Sequence, residues 1–149
     1  MRNFAAVVLI SSLGWAESSG DRVQFVGGTV TNIKNHSEGR VFTTSDELLR
    51  FKAKDGVMEV PYDKINLLEY GQKVDRRYIM AAVISPLFLM SKKRNHFLTI
   101  GYEDENGKQQ AMVFRVQKGD VRSLLVSLEA RTGRKVQFQD DEARRAGKG

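Results

Sequence analysis

The sequence predicts a mainly β domain that ends in one α-helix: an antiparallel sheet, bent into a partly open barrel or strongly curved, with the helix capping it. Three observations carry this reading. Leu49, Phe51 and Ala53 alternate with Arg50, Lys52 and Lys54, and after Asp55-Gly56 the alternation resumes at Met58, Val60 and Tyr62. That is the period of a hairpin with one apolar face. Leu98, Ile100 and Tyr102, the charged stretch 104–107, and Met112, Phe114 and Val116 repeat the pattern. Val121, Leu124, Leu125 and Leu128 then recur at helical spacing.

Taken in order, residues 17–22 are small and polar and read as a flexible lead-in. Val23, Phe25, Val30 and Ile33 surround Gly27-Gly28, which predicts one bent strand or two short ones. Residues 40–44 add a short β-rich run, and 65–70 another. Asp55-Gly56 suits the positive φ angles of a type I′ turn. The helix spans about 120–132, with Asp120 placed to cap its start and Gly133 to end it. Val136 and Phe138 suggest a last strand, while 140–149 lacks periodicity and reads as a mobile tail. The result is one domain over 23–139, as expected for a chain of 149 residues.

The first residues have a different character. Met1-Arg2-Asn3 is a positive start, 4–13 is apolar apart from Ser11 and Ser12, and Gly14 and Ala16 are small residues at −3 and −1. This is the layout of a signal peptide over 1–16 cleaved after Ala16, so the chain is expected to be exported, to a periplasm or beyond the cell. Absence of cysteine excludes disulfides, thiolate nucleophiles and cysteine zinc sites. The 24 Lys+Arg against 18 Asp+Glu give a net charge of +6, of which +5 remains once Arg2 is removed with the leader. A modest basic surplus steers toward anionic partners without naming one.

Residues 78–90 do not fit a simple sheet. They are almost wholly apolar, are interrupted at Ser85-Pro86, and are flanked by Arg76 and Arg77 before and Lys92, Lys93 and Arg94 after. Thirteen residues cannot cross a bilayer as a helix, for which ~20 are needed. One reading is an interfacial element in which the five cations meet lipid phosphates while Ile84, Leu87 and Phe88 anchor in the apolar layer. The other is a segment buried in the domain or at a homo-oligomer contact.

Sequence analysis gives no catalytic, metal-binding or cofactor set. His36 and His96 lack partners at ligand or triad spacing and read as ordinary surface or packing histidines, and no phosphate-binding glycine loop occurs. Catalytic residues, metals and cofactors are therefore not expected, and nucleic acid is not the expected partner.

The stretches Gly28-Thr29-Val30-Thr31-Asn32-Ile33, Leu49-Arg50-Phe51, 58–65 and 96–102, followed by the 121–128 helix, together resemble bacterial PH-like or GRAM-like domains of the pleckstrin-homology superfold. The resemblance is one of strand pattern and terminal helix. It implies a non-enzymatic module that binds phospholipid headgroups or protein segments. Lipid-binding members carry a basic cluster between the first two strands, where this chain has Lys34, His36 and Arg40 with Glu38 among them. The expected partners are thus an anionic lipid surface or an unidentified protein, with self-association through 78–90 as the alternative.

Overall fold

A computed structural model describes residues 19–29, 32–82, 84 and 94–148. Strands β1 (Asp21–Gly28), β2 (Ser37–Phe42), β3 (Leu48–Ala53), β4 (Gly56–Pro61), β5 (Ile65–Gly71), β6 (Phe97–Glu103), β7 (Gln109–Val116) and β8 (Gln137–Phe138) form one sheet. Its order is β4-β3-β2-β1-β7-β6-β5-β8. Every pairing is antiparallel except that of the short β8, which lies parallel to β5. The α-helices among the described residues are α1 (Arg76–Ala81), α2 (Val121–Thr132) and α3 (Asp141–Lys148). The protein is mainly β with a C-terminal helix, as the sequence predicts, but the sheet is mixed and does not close.

Both predicted hairpins form. Leu49 pairs with Val60 and Phe51 with Met58, all four inward, while Arg50 and Glu59 pair on the outside and bond at 2.7 Å. The turn differs from expectation. Lys54 and Asp55 are its corner residues, Gly56 already belongs to β4, and none of the three has positive φ. What fixes this corner is the Asp55 carboxylate, which accepts from the Lys34 N–H at 2.8 Å and the Ser37 hydroxyl at 3.0 Å. The β6–β7 turn carries positive φ at Gly107.

One apolar cluster draws side chains from all of β1 to β7 and from α2, so the sheet curls around it. At its centre Phe25, Phe51 and Phe114 have ring centroids 5.0 to 5.9 Å apart. The predicted helical stripe Val121, Leu124, Leu125 and Leu128 seals the open side, and each side chain contributes roughly 2 kcal/mol by leaving water. Gly133, at φ 69°, ends α2 in the left-handed conformation that costs glycine little.

Asp120 does not cap α2. Its carboxylate instead accepts from the Arg22 backbone N–H at 2.8 Å and Nε at 3.1 Å, joining the helix start to β1. The flexible reading of 17–22 is corrected for Asp21 and Arg22, which already belong to β1, while residues 17 and 18 lie outside the described residues. At the other end of α2, Arg131 donates to the Thr43 carbonyl and pairs with Asp46.

The sheet is covered on its second face as well. A bulge between Phe25 and Gly27 lets Phe25 enter the main cluster and sends Val26 to the other side. There Val26, Phe97 and Val113 pack with Val74, Ala82 and Ile84, and with half-buried Tyr78 and Ile79 of α1.

The predicted mobile tail is also corrected, since Asp141–Lys148 is helical. Asp140 caps it by accepting from the Ala143 N–H at 2.7 Å, and Ala143 and Gly147, four apart, are buried. A Cβ on Gly147 would lie 2.6 Å from the Phe138 ring, so the close approach needs glycine. This packing uses small residues and leaves no stripe of large apolar side chains to read.

Leu125→Asp is expected to abolish the cooperative thermal transition, because an unpaired carboxylate in this cluster costs several kcal/mol. A native melting curve in that variant would mean that α2 is not packed at Leu125.

Candidate functional site

Of the residues expected to form a contact surface, Arg76, Arg77, Ile84 and Arg94 are described, and they fall in three different places. Lys92, Lys93, Leu87 and Phe88 lie outside the described residues, as do residues 1–18 and thus the whole expected signal peptide. Ile84, expected as an apolar anchor, is only 4% exposed and is taken up by the second cluster. It packs inside the chain, beside Gly27, because the outer face of β1, β7 and β6 is apolar and needs cover. Arg76 and Arg77 open α1 and are exposed. Asp75 caps that helix through the Arg77 N–H at 2.8 Å and pairs with the Arg77 guanidinium at 3.2 Å, which holds its own carboxyl below the usual range.

Among the described residues, Arg94 is the expected cation that joins a larger arrangement. It lines an open cleft of about 900 Å³ together with Arg115, Lys118 and Arg145, and the only carboxylate on its walls among the described residues is Glu142. Backbone pairing builds this site. Phe97 lies opposite Arg115 in the β6–β7 register, and the Val116 N–H donates to the His96 carbonyl at 2.7 Å. The end of β7 therefore sits beside the approach to β6. Arg115 points outward by the alternation that turns Phe114 inward, and its guanidinium stacks over Phe97 at 5.7 Å. Helix α3 supplies the remaining wall with Glu142, Arg145 and Ala146. Glu142 meets Arg94 at 3.3 Å, a pair in which both side chains are more than half exposed and which is therefore worth little.

His96 lines the same cleft but is 9% exposed. Its Nδ1 lies 2.5 Å from the Tyr70 hydroxyl, in the core. Burial pushes the Tyr70 phenol up to about 12, so it stays a hydroxyl. Burial, reinforced by the charges of Lys118 and Arg94, holds His96 below the ordinary histidine value, so the ring is neutral at pH 7. The buried Tyr70 hydroxyl has Nδ1 as its hydrogen-bond partner among the described residues, so we assign it as the donor, which leaves the ring proton of His96 on Nε2.

Sequence reasoning did not find Arg115, Lys118, Arg145 or the Tyr70–His96 pair. The one local signal was Arg115 itself, a lone charge in the otherwise apolar run 111–116. The basic cluster that the PH-like resemblance would place between the first two strands is weak here. Arg40 donates to the Gly20 carbonyl at 2.7 Å, and Glu38 and Asp55 stand close by. A second groove, sharing Gln72 and Glu142 with the basic cleft, has Glu69, Asp75 and Asp140 against Lys73 and is acidic.

Among the described residues no group of three or more histidine or acidic side chains is placed to hold a metal ion, and no helix is long and apolar enough to cross a membrane. No family model and no curated protein matches the chain.

The depressed His96 value fixes the sign of a pH effect. Between the unfolded value, about 6.5, and the lower folded value, only the unfolded chain takes up the proton, so stability falls as pH drops through this window and is fully present above it. His36 is shifted the same way by burial, and the aspartates whose carboxyls are held low by hydrogen bonds, Asp55, Asp75, Asp104 and Asp120, act only below about pH 4. Urea unfolding between pH 7 and 5 is expected to show a smaller loss for His96→Gln than for the parent chain. An equal loss in both would mean that His96 is not held neutral.

Proposed function

We propose that this chain is a non-enzymatic binding module of the PH-like kind that meets an anionic surface through the cleft between β6, β7 and α3. The observation that carries the reading is the gathering of Arg94, Arg115, Lys118 and Arg145 around one concavity in which Glu142 is the one carboxylate among the described residues. Clefts lined by one sign of charge concentrate counter-ions and speed their capture. Arg94 directly follows the stretch 85–93, which places the cleft next in sequence to the basic-flanked apolar segment.

Support for the PH-like part is the run of seven antiparallel strands, with β1 beside β7, followed by a helix on the inner face. Export, with residues 1–16 removed, belongs to the same proposal and rests on the sequence of the leader. An anionic membrane leaflet is the surface that an exported module of this charge would meet.

A second reading is self-association through 78–90. It draws on Met80, which is 71% exposed on α1 beside half-buried Tyr78 and Ile79. Concentration-dependent sedimentation that disappears in Met80→Asp would favour it.

The test is co-sedimentation with vesicles of phosphatidylcholine alone and of phosphatidylcholine with phosphatidylglycerol. Binding is expected only to the anionic vesicles and is expected to weaken with salt. Lys118→Glu combined with Arg145→Glu should weaken it by ~10-fold or more, at about 1 kcal/mol per basic residue near such a surface. Undiminished binding in that variant would rule out the cleft as the contact.

A further inference from the structure

The chemistry of the cleft narrows the class of anion, on the basis of the proposed function above. Among the described residues the walls carry Arg94, Arg115, Lys118 and Arg145 together with Glu142, a lining that favours an anion. Three of the four cations are arginines, whose planar forks suit the oxygens of carboxylate and phosphate. The floor adds a donor of another kind. His96 is buried, its Nδ1 is taken by the Tyr70 hydroxyl at 2.5 Å, and the ring lines the cleft. A neutral N–H held in one tautomer by a bond into the core is a directional donor that salt does not screen.

We propose that this cleft is a binding site for a phosphate monoester, whose oxygens are held by Arg94, Arg115, Lys118 and Arg145 and receive a hydrogen bond from His96 Nε2. Glu142 occupies part of the site in the absence of ligand. Its carboxylate, 3.3 Å from Arg94, stands where a phosphate oxygen would compete for the same guanidinium. Because that pair is exposed and weak, α3 gives it up at small cost.

The first arm is titration of the chain with inorganic phosphate and, at matched ionic strength, with acetate, followed by backbone amide NMR. Saturable shifts are expected at 94–96, 115–118 and 142–146, with acetate at least about tenfold weaker, as its single charge and two oxygens imply. His96→Gln should weaken phosphate by about fivefold, the equivalent of one hydrogen bond. Glu142→Gln, at an exposed position that does not threaten the fold, should strengthen it by about twofold to threefold. Equal affinity for phosphate and acetate, or unchanged phosphate affinity in Glu142→Gln, would overturn the proposal.

The second arm separates the sources of the phosphate. Vesicles bearing phosphatidic acid, which exposes a monoester, are compared with vesicles bearing phosphatidylglycerol, a diester, at equal surface charge. Preference for phosphatidic acid would identify a lipid headgroup. Phosphate binding in solution without vesicle binding would identify a soluble monoester, ending the membrane reading while leaving the phosphate site in place.

Discussion

Strand β7 is buried on both faces, and most of the architecture follows from that constraint. Met112, Phe114 and Val116 face the main cluster, while Val113 between them faces the other way and is equally inaccessible. A strand in the middle of a curled sheet can be covered on its inner side by its own sheet and α2. Its outer side needs chain from elsewhere. The stretch from Val74 to Ala82, with Ile84, supplies it, packing behind β1, β7 and β6. An apolar segment that interrupts the strand pattern is thus, in its described part, the cover that β7 requires.

The same strand generates the cleft. Apolar alternation puts Arg115 on the outer face near the end of β7, and the chain then turns through Gln117 and Lys118 into α2. Residues 94–96 approach β6 alongside, tied by the bond from the Val116 N–H to the His96 carbonyl. Charge collects there because the protein's long basic side chains cannot enter either apolar cluster. Helix α3 then docks small residues, Ala143 and Gly147, against Phe138 and Leu125 and brings Glu142 and Arg145 to the rim.

Legibility in the sequence followed the range of the interaction. The β3–β4 and β6–β7 hairpins and the α2 stripe were readable because each is a short-range pattern written in large apolar residues such as Leu49, Phe51, Leu98 and Leu125. Helix α3 was not, since Ala143 and Gly147 bury little apolar area and their fit is one of close approach to Phe138. Asp120 was misread for a related reason. Its position suited a cap, but Arg22, 98 residues away in sequence, offers both a backbone and a side-chain donor to the same oxygen. The cleft was illegible because its cations come from 94, 115, 118 and 145, and strand register together with the docking of α3 makes them neighbours. Of the described residues expected from the sequence to make contact, Arg94 belongs to it.

His96 joins the two levels of the structure. A histidine beside a strand start carries no signal, and the pairing of β5 with β6 is what sets Gly71 opposite Phe97 and so brings Tyr70 within reach of the ring. Once the phenol is buried, its hydroxyl must find an acceptor, and Nδ1 is the one shown. Satisfying that buried group fixes the tautomer of His96, and the neighbouring Lys118 and Arg94 oppose any further proton on the ring. A neutral donor in a cationic cleft is therefore a consequence of core packing. The cations set the sign of what the cleft attracts at long range, whereas the fixed N–H acts only at hydrogen-bond distance and favours a ligand whose oxygens reach the floor.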